Sequence, residues 1–429
     1  MTSALLTDRY ELTMVEAALK AGTADRQSVF ELFARRLPQG RRYGLVAGTG
    51  RFLAELARFR FGDDELTWLR EARIVDDRTV DWLADYRFSG SIRGYAEGEV
   101  YLPGSPLLVV ESSFAEGVLL ETLALSVFNY DSAVAGAAAR MVSAADGRPL
   151  VEMGSRRTGE RSAVAAARAA YVAGFRATSN LEAGRTWGVP TMGTAAHAFT
   201  LLHDSEREAF EAQVASLGPG TTLLVDTYDI PEAVRTAVEV AGTGLGAVRI
   251  DSGDLPALVS QVREQLDGLG ATGTKITVTN DLDEYTIAAL RAAPVDSYGV
   301  GTSVVSGSGH PAAGMVFKLV ARQGADGEWV SVAKKSADKA TVGGRKAPVR
   351  VLVDGVATTE LIRVGGEATG EGERPLLVPL VTDGVVDERW TGPEGVRRAR
   401  EHRQAAVDEL PASAFRLGRG DPVVPTVYE

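Results

Sequence analysis

Four short apolar runs in the middle of this 429-residue chain each end in a small polar cluster. Residues 223–225 lead into Asp226-Thr227-Tyr228-Asp229. Residues 248–250, which include Arg249, lead into Asp251-Ser252-Gly253-Asp254. Residues 276–278 lead into Thr279-Asn280-Asp281, and residues 298–300 into Gly301-Thr302-Ser303. One such cluster is a turn. Four in series suggest one site, because ligands of parallel α/β folds bind at the carboxyl ends of the strands. The sharpest local pattern is Arg249-Ile250-Asp251. Residues two apart on a strand share a face, so a cation and an anion would point the same way. That pair suits a ligand carrying a carboxylate and hydroxyl groups. Asp254 is expected to cap the next helix.

His197 stands in Gly193-Thr-Ala-Ala-His197, crowded by small residues, and is one of four histidines. It reads either as a core histidine bonded to a backbone carbonyl or as a nucleophile in a tight pocket. Gly299-Val-Gly301-Thr302 allows backbone amides to approach a phosphate, or simply makes a tight turn. Lys334, Lys335, Lys339, Arg345 and Lys346 crowd a Gly-containing segment. Such a run is either solvated surface or a flexible basic loop over a polyphosphate. Tyr10, in a helical pattern at the N-terminus, reads on its own as a packing aromatic. His-Glu-x-x-His and other metal-ligand spacings are absent from the sequence, as is a P-loop string.

The elements that must position these residues follow from periodicity. Residues 150–153, 222–225, 247–250, 275–278 and 297–300 are expected strands, with helices at 255–266 and 284–292 between them. Alternating β and α at this spacing means parallel strands with crossover helices. Up to about residue 120 the chain reads as mixed α and β, with strands at 27–33, 91–100 and 103–110. A last segment from about 349 combines Gly-rich turns with a charged helix near 394–410. The expected division is therefore 1–120, a barrel at 121–348 that carries the site, and 349–429 packing back on the first part.

Composition is that of an ordinary globular protein, 45% hydrophobic and 24% charged. The complete lack of cysteine rules out disulfides, thiol nucleophiles and Cys-ligated metal, and it fits a reducing cytoplasm. Net charge is −11, which argues against general nucleic-acid binding. No signal peptide is expected from residues 1–14. The apolar stretch 119–145 is broken by Glu121, Asn129, Asp131 and Arg140, so a buried Ala-rich helix is expected there rather than a membrane span.

Taken in order, the strings resemble nicotinate phosphoribosyltransferases. They are 5–14 with Tyr10, Phe30-Glu-Leu-Phe33, Glu121-Thr122 with Phe128-Asn129, Glu152-Met-Gly-Ser-Arg-Arg157, and Ala177-Thr-Ser-Asn180. Then come Gly193–His197, Val225–Asp229, Arg249–Asp254, Asn280–Asp283, Gly299–Thr302, Phe317-Lys-Leu319 and the tail 407–411. The resemblance implies an irregular α/β barrel, type II phosphoribosyltransferase-like, with an additional α/β sandwich layer from both chain ends. It implies joining of nicotinate to PRPP (phosphoribosyl pyrophosphate), coupled to ATP hydrolysis, with Mg²⁺ beside the phosphates and metal ligands unknown.

By the same resemblance His197 is the histidine that ATP phosphorylates and Asp226 orients its ring. Arg249, Ser179 and Met153 would meet nicotinate, joined by Tyr10 from the neighbouring subunit of a homodimer with shared sites. Asp251 would hold ribose hydroxyls. Gly253, Gly301 and Thr302 would serve the ribose-phosphate end. Arg36, Arg156, Lys318 and the 334–346 loop would reach phosphate oxygens. Two departures from the family pattern stand out: Met153 replaces an aromatic expected on the pyridine ring, and Gly343-Gly344 replaces Pro-Gly. The nicotinamide-specific relatives share the architecture, but Ser179 stands where they carry an acid. An acid there would repel a carboxylate, whereas serine donates to one. An aldolase-like sugar-phosphate barrel would want a strand-end lysine, and these strand ends offer Arg and Asp instead. A non-enzymatic nucleotide sensor would not need the catalytic groups.

Overall fold

The computed structural model describes residues 2–334, 341–366 and 370–429. The chain clusters into two units. One comprises Met1–Gly136 with His310–Glu429, the other Ala137–Gly309.

The first unit is built on a seven-stranded sheet. Its order is Trp329–Ser331, Met315–Gln323, Gln27–Ala34, Leu108–Ser113, Ser91–Tyr95, Leu377–Thr382 and Val385–Val386. The three strands of the N-terminal part pair antiparallel, and Met315–Gln323 pairs antiparallel with Gln27–Ala34. Phe30 stacks on Phe317 with ring centroids 5.2 Å apart, so two segments nearly 290 residues apart share one core. The expected barrel limits of 121–348 therefore give way. Residues 310–334 and 341–348 belong to the first unit because their long strand completes this sheet, and residues 121–136 join it too.

A four-stranded sheet, Glu373–Pro375, Lys346–Val353, Val356–Val364 and Thr426–Tyr428, belongs to the same unit. The basic segment before it reads differently in the fold. Lys346 is buried and its Nζ donates to Glu31 Oε2 at 2.6 Å. Burial pushes the Glu31 carboxyl up to about 7 despite that lysine. Arg345 pairs with Glu111 at 2.7 Å and lies 4.1 Å over the Trp329 ring. Neither is a loose loop cation. Lys335 and Lys339 lie outside the described residues. At Gly343 a Cβ would stand 2.6 Å from the Val332 carbonyl oxygen, which is why glycine occupies this position.

The second unit holds a six-stranded parallel sheet in the order Ala177–Thr178, Leu150–Glu152, Ser297–Val300, Lys275–Val278, Ala247–Ile250, Thr222–Leu224. It curls into a half-barrel. Helices Ile230–Ala241, Leu255–Gly268 and Glu284–Ala289 connect its strands. Their starts follow from local chemistry. Asp229 accepts from Glu232 N ahead of Pro231, and Asp283 accepts from Tyr285 N and Thr286 N. Asp254 occupies the N-cap position of Leu255–Gly268 but makes no side-chain cap bond, contrary to expectation.

The helix Glu121–Ala145 carries the chain from one unit into the next. By length and composition the stretch Phe114–Ala145 is apolar enough to cross a membrane. Two-thirds of its most apolar window (67%) is nevertheless buried, and Leu123, Ala124, Val127 and Phe128 sit in the first unit's core. This is the behaviour of a core helix.

Candidate active site

Three of the four strand-end clusters, those at 251, 279–281 and 301–302, line one cavity of about 480 Å³. Its lining includes Arg156, Ser179, His197, Arg249, Asp251 and Thr302, together with Met153 and Gly301. The strand order explains the convergence. Parallel neighbours deliver their carboxyl ends to the same edge, so residues 20 to 28 apart in sequence become adjacent.

Asp226 sits just past the Thr222–Leu224 strand with its side chain only 1% exposed. Its Oδ2 accepts from the Asp251 backbone N–H at 2.8 Å and from Ser252 Oγ at 2.7 Å. Its Oδ1 is buried and has no hydrogen-bond partner. The nearest candidate is His197 Nε2, 3.9 Å away. The histidine opens the helix His197–Leu202, and its ring is 39% exposed. Its Nδ1 lies 3.1 Å from Thr227 Oγ1. A carboxylate only accepts, so Asp226 favours the tautomer with hydrogen on Nε2, in which Nδ1 accepts from the Thr227 hydroxyl.

Arg249 and Asp251 share a strand face as their spacing requires, and both line the cavity. Desolvation lowers the Arg249 guanidinium from its ordinary value, with Asp251 and Asp226 opposing the shift and Arg156 adding to it. Its Nε is buried without a partner, so the group is held ready for an acceptor that the protein does not provide. Asp251 Oδ1 accepts from Thr279 Oγ1 at 2.6 Å, which fixes its carboxylate at the end of the adjacent strand.

On the opposite flank, Glu152 is fully buried and accepts from Thr178 Oγ1 at 2.6 Å and from Gly154 N. Burial raises its carboxyl above the usual range. These bonds hold the turn that presents Ser155, Arg156 and Arg157, while Ser179 N donates to the Glu152 carbonyl at 2.9 Å. Glycine is needed at 299, where a Cβ would lie 2.7 Å from both Met153 Sδ and Thr279 Cγ2. Met153 packs closely against Gly299 and lines the cavity wall with its thioether.

Eight of the thirteen residues singled out from sequence line this cavity, and Asp226 stands behind it. Gly253 is not among the lining residues. It adopts a left-handed backbone, φ +89°, and turns the loop after Asp251. Tyr10, Arg36 and Lys318 belong to the first unit. There Tyr10 is 45% exposed on the helix Arg9–Ala21. Its hydroxyl is pushed up to about 12 by partial burial and by Glu121. Lys318 reaches the same Glu121 at 3.8 Å, so two of the three gather around one carboxylate. Arg36 lines a separate concavity with Arg35, Arg41 and Arg419.

Thr227, Thr279, Arg157 and Glu152 were not singled out as site residues from sequence. The hydroxyls carry no signature on their own. Arg157 and Glu152 lay inside a quoted string without being given a role.

The geometry can be set beside known proteins. A family model described as the nicotinate phosphoribosyltransferase (NAPRTase) N-terminal domain matches residues 5–129. The chain is 57% identical to a nicotinate phosphoribosyltransferase of Mycobacterium tuberculosis, over 98% of this chain and 94% of the relative. It is 36% identical to that of Bacillus subtilis, over 81% and 73%. Among solved structures, human nicotinic acid phosphoribosyltransferase superposes with a TM-score of 0.83 at 25% identity, covering 99% of this chain and 97% of the human one. A Pyrococcus furiosus nicotinate-nucleotide pyrophosphorylase, at 22% identity and a TM-score of 0.75, shares the fold. On this identity and coverage, the chain belongs to the nicotinate phosphoribosyltransferase family of enzymes.

Proposed function

We propose that the protein makes nicotinate mononucleotide and pyrophosphate from nicotinate and PRPP, with ATP converted to ADP and phosphate, as a salvage step toward NAD. The observation that carries this reading is the pairing of two features at one cavity. One is a histidine whose Nε2 faces a buried, unsatisfied Asp226 oxygen. The other is a half-buried guanidinium beside a carboxylate. The first suits a phosphoryl acceptor. The second suits a pyridine carboxylate and ribose hydroxyls.

In this mechanism His197 Nδ1 takes the terminal phosphoryl group of ATP while Asp226 holds the Nε2 proton. The phosphorylated enzyme favours PRPP. Arg249, with Ser179, fixes the nicotinate carboxylate and so aims the ring nitrogen at the ribose carbon. Asp251 holds the ribose hydroxyls, and Arg156, Gly301 and Thr302 hold phosphate oxygens. As pyrophosphate leaves, positive charge grows on the ribose ring, so catalysis rests on positioning and on nearby carboxylate charge. Mg²⁺, when bound, would supply charge neutralisation beside the phosphates. Among the described residues no group of three His, Asp or Glu side chains forms a metal cage. Asp281, on the cavity wall, is the carboxylate that would hold the ion.

Arg36 and Lys318 are read as phosphate ligands, and Tyr10 as a pyridine-stacking residue supplied across a homodimer. The setting is taken to be the cytoplasm, where the substrates are made. The decisive experiment is mononucleotide formation from nicotinate and from nicotinamide, each with and without ATP. Nicotinate use stimulated by ATP supports the reading. Equal use of both bases, or indifference to ATP, counts against it.

A further inference from the structure

Glu206 opens the helix Glu206–Leu217, four residues after the helix that begins at His197 ends. The Ser205 hydroxyl caps this helix by accepting from Glu208 N, so Glu206 is not needed as a cap. One of its carboxyl oxygens, Oε1, is wholly buried and has no hydrogen-bond partner. The same is true of Asp226 Oδ1, the oxygen that faces His197. Two orphaned acceptors of the same charge in one neighbourhood are costly unless something positive lies between them or one of them carries a proton.

Among the described residues, no fixed cation acts on Glu206. The charges that act on Glu206 are those of Asp226, Asp229 and Glu232, every one of them negative. Asp229 caps the helix Ile230–Ala241, and Glu232 in its first turn pairs with Arg235. Arg207, next to Glu206, is taken by Glu239. His203, in the turn between the two helices, bonds its Nδ1 to the Phe199 carbonyl. Burial, and then the Asp226 charge, push the Glu206 carboxyl up to about 7.

We propose that Glu206 is a positioning residue for the His197–Asp226 pair, a carboxyl that takes up a proton when the histidine takes up a phosphoryl group. The inference rests on the phosphohistidine reading above. In the step itself, the bond between the terminal phosphorus and the bridging oxygen of ATP breaks, and its electron pair leaves with ADP. The His197 Nδ1 lone pair forms the new N–P bond, and the Nε2 proton stays on the ring against Asp226. The ring gains one positive charge and the phosphoryl group brings two negative ones, so the site becomes more negative by one. A solvent proton on Glu206 cancels that increment. It leaves Asp226 facing the imidazolium without a second ionised carboxylate behind it. Linkage then requires the converse: ionised Glu206 disfavours the phosphorylated state.

The test is the yield of base-stable phosphoenzyme from γ-³²P-labelled ATP and Mg²⁺, measured on the full chain across neutral pH for wild type, Glu206→Gln and Glu206→Ala. Wild-type yield should fall by up to about tenfold between about pH 6 and about pH 8, following one titrating group near neutrality. Glu206→Gln, neutral and of the same shape, should keep the low-pH yield and lose the decline. Glu206→Ala should also lose the decline, because the titrating group is gone. A decline in Glu206→Gln that matches wild type would overturn the proposal. A second measurement needs no variant: phosphorylation of wild type in two weak buffers of different ionisation heat should show net proton uptake near neutral pH. No uptake overturns it as well. If wild type is not labelled on histidine at all, the phosphohistidine reading falls first and takes this inference with it. A labelled wild type with an unmoved Gln profile removes the Glu206 role alone.

Discussion

Specificity at the residue scale turns on Ser179, a small polar residue on the cavity wall whose backbone N–H is already spent on the Glu152 carbonyl. Its hydroxyl remains the group with which it meets a ligand. Replacing Ser179→Asp puts a carboxylate where nicotinate's own carboxylate is proposed to sit. Like charges in a partly desolvated site cost several kcal/mol. Nicotinate KM should rise by at least about tenfold, which corresponds to about 1.4 kcal/mol, while nicotinamide is affected far less. Steady-state kinetics with both bases checks this. An unchanged nicotinate KM would show that the position does not touch the carboxylate. His197 makes a complementary case. His197→Ala should abolish ATP hydrolysis and phosphoenzyme formation, yet leave slow mononucleotide synthesis at saturating PRPP, because ribosyl transfer itself uses no histidine nucleophile. Stable labelling of this variant by ATP would place the phosphoryl group elsewhere.

At the scale of elements, the helix Arg9–Ala21 carries a titrating anchor in its first turn. Glu11 is fully buried, and its Oε1 accepts from Thr122 N at 2.8 Å and from the Thr122 hydroxyl, while Oε2 meets Thr7. Burial raises its carboxyl to about 8, against the lowering effect of the Thr122 bonds. The folded protein therefore binds a proton more tightly here than the unfolded chain, whose carboxyl titrates near about 4.3. Between those values the unfolded state holds fewer protons, so stability falls as pH rises from about 4.5 to about 8. Glu11→Gln keeps an acceptor for Thr122, supplies a donor to Thr7 and removes the titration. Its Tm should decline less than that of wild type across this range. Parallel melting curves would count against the assignment.

The same scale shows what the sequence made legible. The strands at 247–250, 275–278 and 297–300 stand where periodicity put them, because each is a short apolar run closed by polar or glycine residues. The strand Met315–Gln323 was assigned to the wrong unit because its partner lies far away at residues 27–34, and local pattern carries no pairing information. Lys346 was read as a loop cation for a related reason. Its partner Glu31 is 315 residues distant, and an isolated lysine in a Gly-rich stretch looks solvated. At the site, Arg249 and Asp251 announced themselves by their spacing, whereas the hydroxyls of Thr227 and Thr279 did not. Threonine at a strand end is ordinary until a neighbouring element supplies His197 or Asp251.

The whole molecule poses a different question, since the candidate residues are divided between two units. Tyr10 and Lys318 gather about Glu121 in the first unit, while Arg249 and His197 belong to the second. The proposal that Tyr10 completes a neighbour's site can be tested on the assembly itself. Stacking on a pyridine ring is worth roughly 0.5–1.5 kcal/mol beyond area burial, so Tyr10→Ala should weaken nicotinate binding by about one order of magnitude at most. Arg249→Ala removes the carboxylate partner and should be the more damaging change. The two variants, refolded together, give hybrid dimers. If each site draws Tyr10 from one chain and Arg249 from the other, a hybrid carries one doubly damaged site and one intact site. Activity in the mixture should then exceed that of either parent, in proportion to the hybrid fraction measured by native mass spectrometry. If Tyr10 serves the site of its own chain, every site in the mixture carries one lesion and nothing is regained. Confirmed hybrids without recovered activity would therefore rule out sharing. Because the gain depends on which chain supplies each group, a merely structural role for Tyr10 in the helix Arg9–Ala21 cannot reproduce it.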